Sequence, residues 1–193
     1  GQRIMICFES KSLGDSLAWM PYVEEFRIKN KCHVLCSTFK NDLFKGQYPE
    51  IEFVEPGVGV NNIYGLYRLG LFYDDNRTIR YDNHPSNPKV EPLGKMATDI
   101  LGIEYKEIRP KLPTFSDKKK KRVCIAVHST SQCKYWNNAT GWQLVVNHLK
   151  RKGYEVRLLS REEDGYMGNK NPQGVVQQKS GPIEKVIQVL EES

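Results

Sequence analysis

Residues 3–26 read RIMICFESKSLGDSLAWMPYVEEF, and the fold is decided there. Arg3-Ile4-Met5-Ile6-Cys7-Phe8 is a nearly unbroken apolar run of strand length. Such a run predicts a strand covered on both faces, as in a parallel sheet. Glu9 to Asp15 is a polar loop with Ser10, Lys11, Ser12 and Gly14. Leu17, Met20, Val23 and Phe26 then recur every three residues, as one face of a helix does. Pro21 falls inside that stretch and predicts either a kink or the first turn proper. Outward from this core, residues 31–38 (KCHVLCST) read as a second strand, Asn41 to Lys45 as a short helix or turn, and Ile51 to Val54 as a third strand. Strand, loop, helix, strand is the opening of an α/β fold.

Residues 57–90 are less regular, rich in Gly and Asn, with Tyr64, Tyr67, Tyr73 and Tyr81. Leu93, Met96, Ala97, Ile100 and Leu101 then follow the i, i+3, i+4, i+7, i+8 pattern of a helix, which Gly102 ends. Arg109-Pro110-Lys111-Leu112-Pro113 and the charged run Ser116 to Lys121 are linker chemistry. They divide the chain into an expected N-terminal Rossmann-like domain, 1–116, and a second domain, 117–193. The pattern restarts beyond the linker. Arg122 to Val127 is an apolar strand, and His128 to Ala139 a polar loop. Thr140-x-x-Gln143 reads as a capping box before a helix with Trp142, Val145, Val146 and Leu149 on its apolar face. Gly153 ends that helix and Tyr154 to Leu159 forms the next strand. The polar loop 161–181 leads to a last helix carrying Ile183, Val186, Ile187 and Leu190. Two strands are expected in this second half.

Composition narrows the class. The 193 residues hold 29 Lys and Arg against 23 Asp and Glu, a net charge of +6, and 39% hydrophobic residues. That apolar content excludes a disordered chain. No apolar run reaches the roughly 18 residues of a membrane span. The start lacks the regions of a signal peptide, Gly1 reads as a cloning remnant, and a cytoplasmic location is expected. The basic run 118–121 lies in the linker without interleaved aromatics, so no nucleic acid partner is expected. Five cysteines, mostly in apolar runs, suit reduced thiols. Cys32 and Cys36, with His33 between them, would need further ligands to hold a metal, and no metal or cofactor is expected.

In parallel α/β sheets ligands bind at the carboxyl ends of strands, where loops enter helix N-termini. Two loops qualify. In the first, Gly14 lets a ligand approach the backbone, Ser12 offers a hydroxyl, and Asp15 is either the helix N-cap or a catalytic carboxylate. The second is His128-Ser129-Thr130-Ser131-Gln132-Cys133-Lys134-Tyr135-Trp136. Its hydroxyls, amides and one cation make a cradle for a diphosphate. The plainer reading is a polar loop with a solvated Lys134, and Trp136 and Trp142 as packing residues. No G-x-G-x-x-G, P-loop, D-x-D or G-x-S-x-G motif is present, and Gly57-Val58-Gly59 is only a partial match.

Taken together, RIMICFESKSLGDSLAWMPYVEEF and HSTSQCKYWNNATGWQLVVNHLKRKGYEVRLLS resemble the openings of the two domains of the ADP-heptose-dependent heptosyltransferases, the second stretch most like the branch that glycosylates autotransporters. The resemblance implies a GT-B fold, two Rossmann-like domains facing across a cleft, with the two loops converging there. It implies Asp15 as general base, Lys134 beside the donor phosphates, Ser129, Thr130 and Ser131 in the phosphate-contacting loop, and Ser12 and Gly14 in substrate binding. It also implies inverting, metal-independent transfer from a nucleotide sugar, an ADP-sugar above others, to a glycan, lipid-linked glycan or protein. The alternative is a non-catalytic nucleotide- or carbohydrate-binding module of the same fold. A dinucleotide-dependent Rossmann enzyme is disfavoured by the missing glycine fingerprint. The chain departs from the family in having too few strands after residue 121 and in stopping before the family's glycine-rich donor motif. A truncated second domain is therefore expected, with an unfinished sheet edge through which copies of the chain could associate.

Overall fold

The computed structural model describes residues 1–72, 74–78, 80, 86–87, 89–129, 132–160, 162–178 and 181–193. Tyr73, Tyr81, Thr130 and Ser131 lie outside the described residues. The chain divides into two compact units, Gly1–Pro113 and Thr114–Ser193. The division falls inside the proline-rich linker, just before the 116/117 position expected from composition. Phe115 and Ser116 donate their amide N–H groups to the Glu191 carboxylate at 2.8 and 3.0 Å, which ties them to the second unit.

The first unit runs β1 (Arg3–Phe8), α1 (Leu13–Asn30), β2 (His33–Ser37), α2 (Asn41–Phe44), β3 (Glu52–Phe53), β4 (Gly65–Leu69) and α3 (Leu93–Leu101). Its sheet has the order β3-β2-β1-β4, with every pairing parallel. β1 is central because its apolar side chains are covered on both faces: Ile4, Met5, Ile6 and Phe8 are all buried. α1 buries Trp19, Met20, Tyr22, Val23 and Phe26, with Phe26 meeting Tyr67 of β4 at 5.1 Å. The Trp19 indole meets Phe8 edge-on at 5.5 Å.

Three expectations change here. Pro21 does not open α1, because the helix starts eight residues earlier at Leu13 and the proline is buried within it. Lys31 is not in β2. It closes α1 in the left-handed region at φ 49°. β4 falls in the stretch read as irregular. GLYRL pairs in register with β1 from Ile4–Gly65 to Phe8–Leu69. It carries no clear apolar signal because only Leu69 is fully buried and Leu66 is 54% exposed.

The second unit runs β5 (Arg122–Ile125), α4 (Gly141–Arg151), β6 (Glu155–Leu159), β7 (Val176–Gln178) and α5 (Ile183–Glu191). Its parallel sheet has the order β5-β6-β7. The third strand, VQQ, was read as loop because it is short and polar. Ile125, Val127, Val146, Val156 and Leu158 form the core. The expected capping box does not form: Thr140 makes no side-chain cap. Asn138 takes the Thr140 N–H at 3.1 Å instead, while Gln143 turns to the backbone of Gln173. Arg122 is buried at the base of the sheet. It binds Glu155 at 2.5 Å and Glu192, just past α5, at 3.2 Å. Among the described residues no helix is long and apolar enough to cross a membrane.

Candidate functional site

Both sequence-predicted loops leave the carboxyl ends of parallel strands. In the first unit β1 is followed along the chain by β2 on one side and paired with β4 on the other, so the chain reverses direction across β1. Such a switch point opens a crevice at the carboxyl ends of the strands. The loop Glu9–Ser12 emerges there and runs straight into α1.

The cap of α1 is Ser12, whose hydroxyl accepts the Asp15 N–H at 3.5 Å. Asp15 therefore sits one turn position inside the helix, as its third residue, and the N-cap reading for it is replaced by Ser12. The Asp15 carboxylate accepts a hydrogen bond from the Ser10 hydroxyl at 2.6 Å, and the same hydroxyl oxygen accepts the Ser12 N–H at 3.1 Å. Asp15 is half-buried, and no cation among the described residues is paired with it. Gly14 is exposed, and a side chain there would meet nothing closer than the Ser12 hydroxyl at 3.8 Å, so the backbone at this turn is open to a ligand.

The loop after β1 also holds an ion pair that sequence reasoning missed. Arg68 at the end of β4 holds the Glu9 carboxylate at 2.7 Å, and its guanidinium lies 5.5 Å from the Phe72 ring centre. The hydrogen bond to Arg68 holds the Glu9 carboxyl below its ordinary range. Burial pushes the neighbouring Cys7 thiol up, and the Glu9 charge adds to that. Glu9 is thus committed as an ion-pair partner. Gly70 permits this approach, since a Cβ there would lie 2.8 Å from the Glu9 Cβ. Glu9 and Arg68 are 59 positions apart, so only the β1–β4 pairing reveals them as partners.

In the second unit the loop after β5 carries a single 3-10 turn, Gln132–Lys134. Lys134 is exposed at its end. The buried Tyr135 donates its hydroxyl hydrogen to the Ser129 carbonyl at 2.8 Å and so brings Ser129 and Lys134 into one loop. Thr130 and Ser131 lie outside the described residues. His128 opens this loop. Its Nδ1 is 2.9 Å from the Ser160 hydroxyl at the end of β6, and its Nε2 is buried without a partner among the described residues. None of the five cysteines is in a disulfide; Cys36 is buried, Cys133 exposed and the others half-buried. Among the described residues no group of three or more His, Cys, Asp or Glu is placed to hold a metal ion.

The arrangement is two Rossmann-like units, each with a ligand-competent loop after its first strand, one acidic and hydroxylic, the other hydroxylic and cationic. No family model matches the chain. Among curated proteins it is 36% identical over 179 residues to the autotransporter heptosyltransferase Aah of Escherichia coli, covering 89% of this chain and 45% of that protein. It is 35% identical over 179 residues to the autotransporter heptosyltransferase TibC of E. coli O78:H11, covering 43% of it. A solved TibC structure, described as a bacterial iron-containing dodecameric glycosyltransferase, matches with a TM-score of 0.84 at 32% identity, over 100% of this chain and 51% of that one. A second, of TibC in complex with ADP-D-beta-D-heptose, matches with a TM-score of 0.83 over 98% of this chain. The fold is therefore of the GT-B glycosyltransferase class. Within that class the chain is homologous to the autotransporter heptosyltransferases, and it spans about half the length of the curated relatives it matches. The described residues offer no donor set that fits the iron of the TibC structure.

Proposed function

We propose that the chain is part of a glycosyltransferase of the heptosyltransferase type, which moves a sugar, heptose above others, from an ADP-sugar to an acceptor hydroxyl with inversion and without a metal in the transfer step. The observation that carries this reading is the match over 98% of the chain to TibC solved with ADP-D-beta-D-heptose. Asp15 is the general base. Its carboxylate takes the acceptor proton as the hydroxyl oxygen attacks the anomeric carbon, while Ser10 holds the carboxylate in place. Ser12 and the open backbone at Gly14 contact the acceptor. The bond to the diphosphate oxygen breaks as the new one forms, and attack from the opposite side inverts the carbon. Lys134, with Ser129, Thr130 and Ser131, neutralises the charge that grows on the departing diphosphate.

The relatives are named for autotransporters, which favours a protein acceptor over a glycan or lipid-linked glycan. Five cysteines with no disulfide among them favour the reducing cytoplasm. The short end strand β7 is the edge through which copies of the chain would associate, and no nucleic acid partner is assigned.

Calorimetry and transfer assays on the complete gene product test the reading. ADP should bind, UDP and GDP weakly or not at all, and Lys134→Ala should weaken ADP by about tenfold, the loss of a charged hydrogen bond. Heptosyl transfer from ADP-heptose with inverted product stereochemistry, unaffected by EDTA, is the expected activity. ADP binding without any transfer would instead identify a binding module, and absence of both would end the proposal.

A further inference from the structure

Most of the charge of the C-terminal unit is used by neither loop. Residues 114–193 hold 14 Lys and Arg against 8 Asp and Glu, so the chain's entire excess of +6 lies in that unit. Two of its basic runs, Lys118-Lys119-Lys120-Lys121 and Lys150-Arg151-Lys152, stand just before the starts of β5 and β6. Parallel pairing sets Arg122 beside Glu155, which brings the two runs together at the end of the sheet away from the Lys134 loop. We infer that this basic end docks the protein on the surface of an anionic lipid bilayer.

Three observations carry this. First, the two runs form one surface. The Lys121 carbonyl accepts the Glu155 N–H at 2.9 Å. The Lys121 ammonium lies 5.3 Å from the Tyr154 ring centre and 3.0 Å from where a Cβ on Gly153 would stand. All seven cations of the runs are exposed. Second, the neighbouring carboxylates do not balance them. Glu155 is held by Arg122 and Arg157, and Glu192 by Lys120 and Arg122. Glu191 takes the Phe115 and Ser116 N–H groups, and Asp117 stands beside the first run. Among the described residues Lys118, Lys121, Lys150, Arg151 and Lys152 are in no ion pair. Third, apolar side chains lie at the edge of this charge. Phe115, tied to α5 through Glu191, is 43% exposed, and Leu190 is 50% exposed. Cations beside exposed apolar groups suit a bilayer, where the ammonium groups meet head-group phosphates and the apolar groups sink between them. Six of the seven are lysine, a point charge on a flexible stem that can follow a fluid array of head groups. A nucleic acid would call for forked arginines and open aromatic faces, whereas Tyr154 is covered by Lys121.

The inference does not depend on glycosyl transfer and is tested on this chain by sedimentation with vesicles. Binding is expected to phosphatidylcholine vesicles carrying about 30 mol% phosphatidylglycerol and not to phosphatidylcholine alone. It should weaken at least about tenfold between about 0.1 and 0.5 M salt. Each cation near such a surface contributes about fivefold, so Lys118→Gln, Arg151→Gln and Lys152→Gln together should weaken binding about a hundredfold. All three side chains are exposed, so thermal unfolding should stay in place. Lys170→Gln removes the same charge beside Tyr135 of the other loop and should change binding less than about twofold. Phe115→Ser should weaken binding about fivefold, the share of a partly exposed ring entering the head groups. The inference is overturned by no binding to the anionic vesicles, by equal binding to phosphatidylcholine, or by unchanged affinity in the folded triple variant or in Phe115→Ser. A fivefold loss in Lys170→Gln, which would make the effect one of net charge, overturns it too. So does tighter binding to DNA of about 20 nucleotides, single- or double-stranded, than to the vesicles.

Discussion

Replacing Asp15 by Asn separates a catalytic base from a structural carboxylate, because the two roles differ in size. An Asn keeps an oxygen able to accept the Ser10 hydroxyl hydrogen, now at 2.6 Å. Ser12 keeps the helix cap. What the substitution removes is one negative charge in the first turn of α1, worth about 0.3–1 kcal/mol against the helix dipole. A structural Asp15 thus predicts a stability loss of at most about 1 kcal/mol and little else. A general base predicts a rate loss of about 10²–10⁴, which is about 2.7–5.4 kcal/mol of barrier. The measurement is kcat and KM of the complete gene product with ADP-heptose, with urea unfolding of the same preparations. We expect kcat to fall at least a hundredfold at nearly unchanged unfolding midpoint. Ser12→Ala calibrates the helix start, since losing the cap should cost about 1 kcal/mol of stability. A kcat within tenfold of the parent in Asp15→Asn, or a rate loss matched by unfolding of the variant, refutes the assignment.

Three further predictions concern the scaffold. Arg122→Leu takes the buried guanidinium from the Glu192 carboxylate, which keeps Lys120 and the Gln188 amide as partners. We expect a loss of about 2 kcal/mol, seen as a fall of about 10 °C in the melting of the C-terminal unit by circular dichroism, partly recovered by adding Glu192→Gln. Gly94→Ala would favour a helix by propensity, but here its Cβ would lie 2.5 Å from the hydroxyl of the buried Tyr22, which is itself tied to the Lys106 carbonyl at 3.0 Å. The variant should lose about 1–3 kcal/mol in denaturant titration, and a stabilised variant would contradict the packing. Arg68 lowers the Glu9 pKa, so the pair stabilises the first unit above the ordinary carboxylate range, near pH 4.3, and that contribution disappears as pH falls through the depressed value. Both groups are partly exposed, so the effect is below about 1 kcal/mol, and the stability gap between the parent and Arg68→Gln should close between pH 6 and pH 3.

What the sequence made legible and what it hid follow one physical rule. β1 was readable because a strand buried on both faces must be apolar throughout, and burial of its own side chains enforces that. β4 and β7 escaped because they are held by backbone pairing to an inner strand and need few apolar side chains: Leu66 of β4 is 54% exposed, and β7 is VQQ. The helix starts show the same limit at finer scale. At α1 the sequence offered Asp15 as the cap, but Ser12 takes that place and the Asp15 carboxylate binds the Ser10 hydroxyl instead. At α4 the capping-box spacing was present, yet no side chain caps the helix: Asn138 takes the Thr140 N–H and Gln143 is drawn to Gln173, thirty positions away. The residues that sequence reading missed at the candidate sites all depend on such distant partners. Glu9 is defined by Arg68, 59 positions away. Asp15 could be proposed from sequence because its loop, helix and hydroxyl partner lie within six consecutive residues. For that reason its role is the one a single substitution can decide.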